Sequence, residues 1–379
     1  MTGAAGPAGE LAARIARHGS VGFDEFVEVA LYHPAGGFFA AGGGAGRAGA
    51  DFVTSPEVGP LFGAVVARYL DARWAELGRP DPFVVVEAGA GRGALAISVL
   101  AASPECAPAL RYVLVERSAE LRERQSRHLP LVHPFEVLGP EADPELGTAP
   151  PERGAGPLVC CLEDLPAQRI EGVVLANELL DNLPFRLAER TEGGWAEVRI
   201  TLRGNQPGEL LAALDEASAQ LLDRLAPEAQ VGARVPLQDR ARDWLVEALQ
   251  LVERGAVLVV DYASTTADLA SRPMEDWLRT YRGHARGGDP LEDPGSQDVT
   301  CEVAVDQLAR VAPPTSEDPQ ADWLRRWGIE DLVEEGRRAW EAKAAAPDLA
   351  ALRGRSRAVE AEALTDPDGL GDFRVLEWR

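Results

Sequence analysis

Three stretches of the chain combine residue types that can do chemistry. The first is Glu87-Ala-Gly89-Ala90-Gly91-Arg-Gly93, directly after the apolar run FVVV. Glycines at this spacing permit a tight turn and let a ligand approach the backbone. N–H groups at the start of a following helix attract an anionic group. The second is Ala176-Asn177-Glu178-Leu-Leu-Asp181-Asn-Leu-Pro184, where polar residues appear abruptly after a buried-type run. Ligands of open α/β sheets bind at such strand ends. The third pairs Leu278-Arg-Thr-Tyr-Arg-Gly-His284-Ala with Asp293-Pro-Gly-Ser-Gln-Asp-Val-Thr300, rich in donors and poor in apolar side chains.

The glycine run satisfies G-x-G-x-x-A at Gly89, Gly91 and Ala94, so both a dinucleotide and S-adenosylmethionine enter consideration. Glu87 lies inside the run, where an acid can meet an ammonium group. Glu116 ends the second apolar strand, where a carboxylate can take two ribose hydroxyls. NAD proteins share that second feature. Glu87 favours S-adenosylmethionine, with its methionine carboxylate at the helix start.

Parallel strands positioning these residues should read as continuous apolar runs. Such runs start at Phe83 and cover 112–118, 172–178 and 255–263; helical patterns at 93–101 and over LRERQSRHL fall between them. The alternation predicts an α/β fold with a Rossmann-like, mostly parallel doubly wound sheet. FRVLEW near the carboxyl end alternates like a final strand.

Upstream, 10–17 and 23–31 read as short helices, Gly36 to Gly49 as a loop, and Ser55 as the cap of a helix running to Asp71 with Pro56 at its first position. Residues 184–202 read as a hairpin turning at Gly193-Gly194, 209–225 and 239–254 as helices, and 140–157 and 279–300 as loops. The expected organisation is a helical segment 1–80 contributing to the site, a core of 81–183 plus 255–379, and an inserted region 184–254 for the substrate.

Hydrophobic residues make up 46% and charged residues 26% of the 379, as in a globular enzyme. The formal net charge of −23 opposes binding to nucleic acid or an anionic membrane and favours a basic partner. Cys106, Cys160, Cys161 and Cys301 show no metal-ligand spacing, so no metal site is expected. The first residues lack a signal-peptide pattern and no apolar run is long enough to span a membrane, so the expected location is cytoplasmic. A homodimer is admitted.

In order along the chain, FVEVALYHPAGG, Asp51-Phe-Val-Thr-Ser-Pro-Glu-Val, EAGAGRG, LVERS with Leu121 and Gln125, ANELLDNLP, YRGH, DPGSQDVT and FRVLEW resemble the MidA-like methyltransferase family. That family includes a mitochondrial complex I assembly factor that methylates an arginine. The resemblance implies a class I methyltransferase core binding S-adenosylmethionine, with Thr54, Ser55, Pro56 and Glu57 near the cofactor together with Glu87, Gly89, Ala90, Gly91, Gly93, Glu116 and Asn177. The chain has Leu179 and Leu180 where family members commonly carry aromatics.

An arginine acceptor has a pKa above ~12 and needs carboxylates to hold it. Glu178 and Asp181, three residues apart, share a face if the segment turns helically, and one can take the proton. His284 joins them as a candidate. Two other readings stand: a small-molecule O- or N-methyltransferase, and a non-catalytic assembly protein retaining the fold.

Overall fold

The apolar runs become the buried strands they resemble. The computed structural model describes residues 6–43, 54–139, 152–204, 206–283 and 285–379, in two compact units. One unit comprises 53–177, 248–260 and 314–379. Its seven strands are β1 (Phe83–Ala88), β2 (Leu110–Val115), β3 (Leu158–Leu162), β4 (Ile170–Asn177), β5 (Val252–Asp261), β6 (Ser316–Pro319) and β7 (Arg374–Trp378). They lie in the order β3-β2-β1-β4-β5-β7-β6. Neighbours from β3 through β5 are parallel, and β6 runs antiparallel to β7.

Every residue of β1 and β2 is buried. A strand covered on both faces needs this, which is why these runs do not alternate. Strand order reverses between β1 and β4, and α/β sheets bind ligands at the carboxyl ends beside such a reversal. Central strands approach closely at two glycines: a Cβ on Gly172 would stand 1.8 Å from the Val84 carbonyl oxygen, and one on Gly255 1.7 Å from that of Gly172. The core of this unit joins Leu61, Phe62 and Val65 to sheet residues such as Val85 and Leu258, and to Trp323 and Leu364.

Thr54 takes the N-cap position expected of Ser55, and the helix breaks at Gly59, giving α1 (Ser55–Val58) and α2 (Pro60–Glu76). The cause is Glu360: its Oε2 accepts the Leu61 N–H at 2.9 Å, and a Cβ on Gly59 would sit 2.3 Å from its carboxyl carbon. The glycine run leads into α3 (Ala94–Ala101). The stretch 158–162, marked in sequence only as an apolar run with two cysteines, is edge strand β3.

The second unit comprises 1–52, 178–247 and 261–313. It therefore takes 261–313 out of the segment expected as core, and its bound at Phe52 divides the helical segment expected as 1–80. Helices Pro7–His18 and Phe23–Tyr32 pack with an antiparallel sheet containing Arg186–Thr191, Gly194–Arg203 and Gln206–Ala213. The hairpin forms as expected, but 206–213 is a strand: it pairs with Gly194–Arg203 along its whole length, and cross-strand bonding outweighs the helical tendency of its Leu and Ala residues. The stretch expected as a loop at 279–300 holds strands Leu278–Arg282 and Asp298–Cys301, paired antiparallel with Thr280 opposite Val299. Its turn-forming residues join strands whose partner is distant in sequence.

Part of the loop expected at Gly36–Gly49 and most of that at 140–157 lie outside the described residues, as does His284. Among the described residues no helix is long and apolar enough to cross a membrane.

Candidate functional site

Ala88, the last residue of β1, pairs with Val115 on one side and Ala176 on the other. Gly89, Glu116 and Asn177 therefore leave three adjacent strand ends, and the register brings together residues separated by almost ninety positions in the chain. Gly89, Gly91 and Gly93 have φ of 68°, 53° and 81°, the left-handed region that favours glycine. A Cβ on Gly93 would meet Leu129 Cδ1 at 2.9 Å, so that position serves packing. At Gly91 nothing among the described residues lies within 4 Å of such a Cβ. The backbone is open there to a close-lying ligand.

The loop's amides are differently used than expected. The Ala90 N–H donates to the Val115 carbonyl, that of Gly93 to the Ala90 carbonyl, and that of Gly91 to Glu116 Oε2 at 2.9 Å. The fully buried Gln125 side chain donates to the Gly91 carbonyl at 2.8 Å. Gly91 is thus fixed at both its backbone groups by side chains from the next strand–helix pair. Glu116 Oε1 accepts the Ser118 N–H at 2.8 Å. Burial pushes the Glu116 carboxyl above its ordinary range, against the opposing pull of those N–H donors.

Glu87 does not face outward as a partner for an ammonium group. Its carboxyl is 5% exposed, accepts the Tyr112 hydroxyl at 2.7 Å, and takes a backbone hydrogen bond from Ala96 in the first turn of α3. Burial pushes it up to about 8. Its place is inside the unit, tying β1 to the helix start: Leu114 is its register partner in β2, and Tyr112, two residues earlier in that strand, reaches it through its hydroxyl.

The Thr54–Glu57 segment belongs to the same unit, and α1 packs against α3. Thr54, Ser55 and Pro56 are buried and Glu57 is half-buried. Ser55 Oγ donates to Gln320 Oε1 at 3.0 Å, and Gln320 Nε2 to the Leu364 carbonyl.

In the other unit, Glu178 opens the turn after β4. It is half-buried, with φ of 52°, a strained value for a side chain other than glycine. A 3₁₀ turn follows over Leu180–Asn182. Asp181 is 4% exposed; its Oδ2 accepts the Tyr262 hydroxyl at 2.7 Å and the Thr300 hydroxyl at 2.5 Å. Among the described residues its Oδ1 has no hydrogen-bond partner. Burial raises the Asp181 carboxyl above its ordinary range, and the two hydroxyl donors pull it back. Asn182 donates to Asp298 Oδ1 at 3.0 Å, and Tyr32 to the Asn182 carbonyl at 3.2 Å.

The family model described as "Putative S-adenosyl-L-methionine-dependent methyltransferase" matches residues 65–318. The chain belongs to this family. It is 28% identical over 323 residues to the protein arginine methyltransferase NDUFAF7 homolog, mitochondrial, of Drosophila melanogaster, covering 80% of this chain and 69% of that one. The Danio rerio protein arginine methyltransferase NDUFAF7, mitochondrial, is 27% identical over 341 residues, covering 86% and 77%. A crystal structure from Burkholderia thailandensis described as a "superfamily member and likely methyl transferase", bound to S-adenosyl-homocysteine, superposes with a TM-score of 0.78 at 27% identity, covering 98% of this chain and 91% of that one.

The protein is an S-adenosylmethionine-dependent methyltransferase with the expected Rossmann-like fold. The glycine loop suits that cofactor: the space beyond Gly91 admits a ligand against backbone, and Glu116 offers a carboxylate at the end of β2. Among the described residues no cluster of His, Cys, Asp and Glu suits a metal ion. Sequence reasoning assigned no role to Tyr262, Gln320 or Glu360. Tyr262 stood visible in VVDYA at a strand end; the other two carried no local signal.

Proposed function

We propose that this methyltransferase transfers its methyl group to an arginine side chain of a protein, with Glu178 and Asp181 holding the guanidinium. The observation that carries this reading is the Asp181 carboxylate. One oxygen is oriented by two hydroxyls, and the other is buried without a partner among the described residues. A buried acceptor oxygen of this kind is costly unless a donor meets it, and a guanidinium presents five N–H donors. The arginine methyltransferase relatives support the same acceptor.

When bound, S-adenosylmethionine supplies an electrophilic methyl group. Gly91 would leave room for the cofactor at the backbone, and Glu116 would hold its ribose. Thr54–Glu57 and Asn177 would border it. Glu178 and Asp181 would hold and orient the guanidinium for the reaction; such orientation is worth up to ~7–11 kcal/mol. Transfer leaves a proton to remove, and Asp181, raised above the ordinary carboxylate range, is a candidate base for it.

The neutral isosteres Glu178→Gln and Asp181→Asn test this. Each should leave S-adenosylmethionine affinity within about twofold and lower methyl transfer by roughly 10²-fold or more. Mass spectrometry of proteins incubated with labelled cofactor should find methylarginine. Full activity in both variants, or label confined to metabolites, would refute the reading.

A further inference from the structure

A second buried acid sits at the base of the Glu178 turn. Asp261, the last residue of β5, is 1% exposed. Its Oδ2 accepts the N–H of Leu180 at 3.0 Å and of Asp181 at 3.3 Å, while Oδ1 accepts the N–H of Tyr262 at 3.0 Å. The Tyr262 hydroxyl then reaches Asp181 Oδ2 at 2.7 Å. Two consecutive residues of one strand end thus hold the turn twice, at its backbone and at its carboxylate.

What they hold is strained. Glu178 at φ 52° persists only where its surroundings enforce it. A buried carboxyl group accepting two successive N–H groups just beyond Glu178 is such an enforcement, since losing it would leave both amides without that acceptor.

We propose that Asp261 is a positioning residue for methyl transfer, clamping the Leu180 and Asp181 amides so that the turn presents Glu178 and Asp181 to the acceptor. The proposal rests on the reading that these two carboxylates handle the acceptor. The groups that face Asp261 are Asp181, Glu178, Tyr262 and Cys301. Burial, then the charges of Asp181 and Glu178, push the Asp261 carboxyl up. By the same repulsion a negative charge at 261 makes Asp181 harder to ionise, so removing it makes Asp181 a weaker base that ionises at lower pH.

Asp261→Ala and Asp261→Asn are compared with the wild type and Glu178→Gln by three measurements: calorimetric titration with S-adenosylmethionine, hydrogen exchange of amides 178–183, and labelled methyl transfer into total lysate protein across pH. In Asp261→Ala the Leu180 and Asp181 amides should exchange at least about 10-fold faster. Methyl transfer should fall at least about 10-fold in kcat with KM and donor affinity within about twofold. In Asp261→Asn, which keeps the size and one acceptor oxygen for the Leu180 and Asp181 amides but removes the charge and the acceptor for the Tyr262 N–H, the acid limb of kcat should move to lower pH, a change that a merely structural role would not produce. Unchanged exchange and kcat in Asp261→Ala, or an unmoved acid limb in Asp261→Asn, overturns the proposal. If Asp261→Ala does not fold, the isosteric Asn variant decides through its pH profile and exchange. Full transfer by Glu178→Gln sinks the acceptor-site reading instead, and amide exchange still tells whether Asp261 clamps the turn.

Discussion

Gly91 and Glu87 show how differently two residues of one motif can serve. Gly91 combines a left-handed backbone with open space where a side chain would point. Gly91→Val should cost about 1–2 kcal/mol of stability through backbone strain, and reduce S-adenosylmethionine affinity at least about 100-fold, or about 2.8 kcal/mol. Calorimetric titration beside a thermal melt separates the two effects; unchanged affinity would exclude the loop from the cofactor site. Glu87 is buried and raised from an ordinary 4.5 to about 8. The folded state therefore binds its proton more tightly than the unfolded chain does. Stability from this group is present in acid and is lost as pH rises from 4.5 through about 8. Glu87→Gln, which cannot ionise, should match the wild type near the acid end and gain on it by a few kcal/mol at about pH 8. Denaturation midpoints followed across pH check this, and parallel curves would show that Glu87 is not held protonated.

At the scale of elements, the close passage of β1, β4 and β5 fixes where their ends emerge. Gly172 meets the Val84 carbonyl, and backbone in the middle of a sheet cannot withdraw. Gly172→Ala should destabilise the protein by about 3 kcal/mol or more, read as a lower urea midpoint. A loss below about 1 kcal/mol would mean the strands can part at that point. The Thr54–Val58 segment depends on a different device. Gln320 and Glu360, from far along the chain, bond Ser55 and the Leu61 amide, so the segment's conformation is set by residues 265 and 299 positions away.

For the whole molecule, the governing quantity is the net charge of −23. A basic acceptor protein should be steered to such a surface. Raising ionic strength from about 0.01 to 0.15 M shortens the screening length from about 30 to about 8 Å, and kcat/KM should fall by about 10-fold or more while kcat holds. A salt-independent kcat/KM would argue for an uncharged acceptor.

Local signals were enough for part of this. FVVVEA, YVLV, GVVLAN and AVLVVD read as buried parallel strands because a strand covered on both faces must be apolar throughout. The glycines after the first of them marked the cofactor loop because no other residue takes those backbone angles without strain. Acids at strand ends, Glu116, Glu178 and Asp181, were visible as polar breaks. Sequence could not say which way an acid turns: Glu87 and Glu116 both sit near the loop, but Tyr112 and Ala96 draw the first inward while the Gly91 and Ser118 amides hold the second. Nor could it distinguish the strands at 206–213 and 278–301 from helix or loop, because the hydrogen bonds that make a strand lie with a partner elsewhere in the chain. Asp181 read as half of an acidic pair on one face; only the fold supplies Tyr262, Thr300 and Asp261, which leave it one oxygen without a partner among the described residues and fix the turn that carries it. Backbone preference and hydrophobic pattern are properties of neighbouring residues, whereas the direction and proton affinity of a carboxyl are set by whatever the fold brings against it.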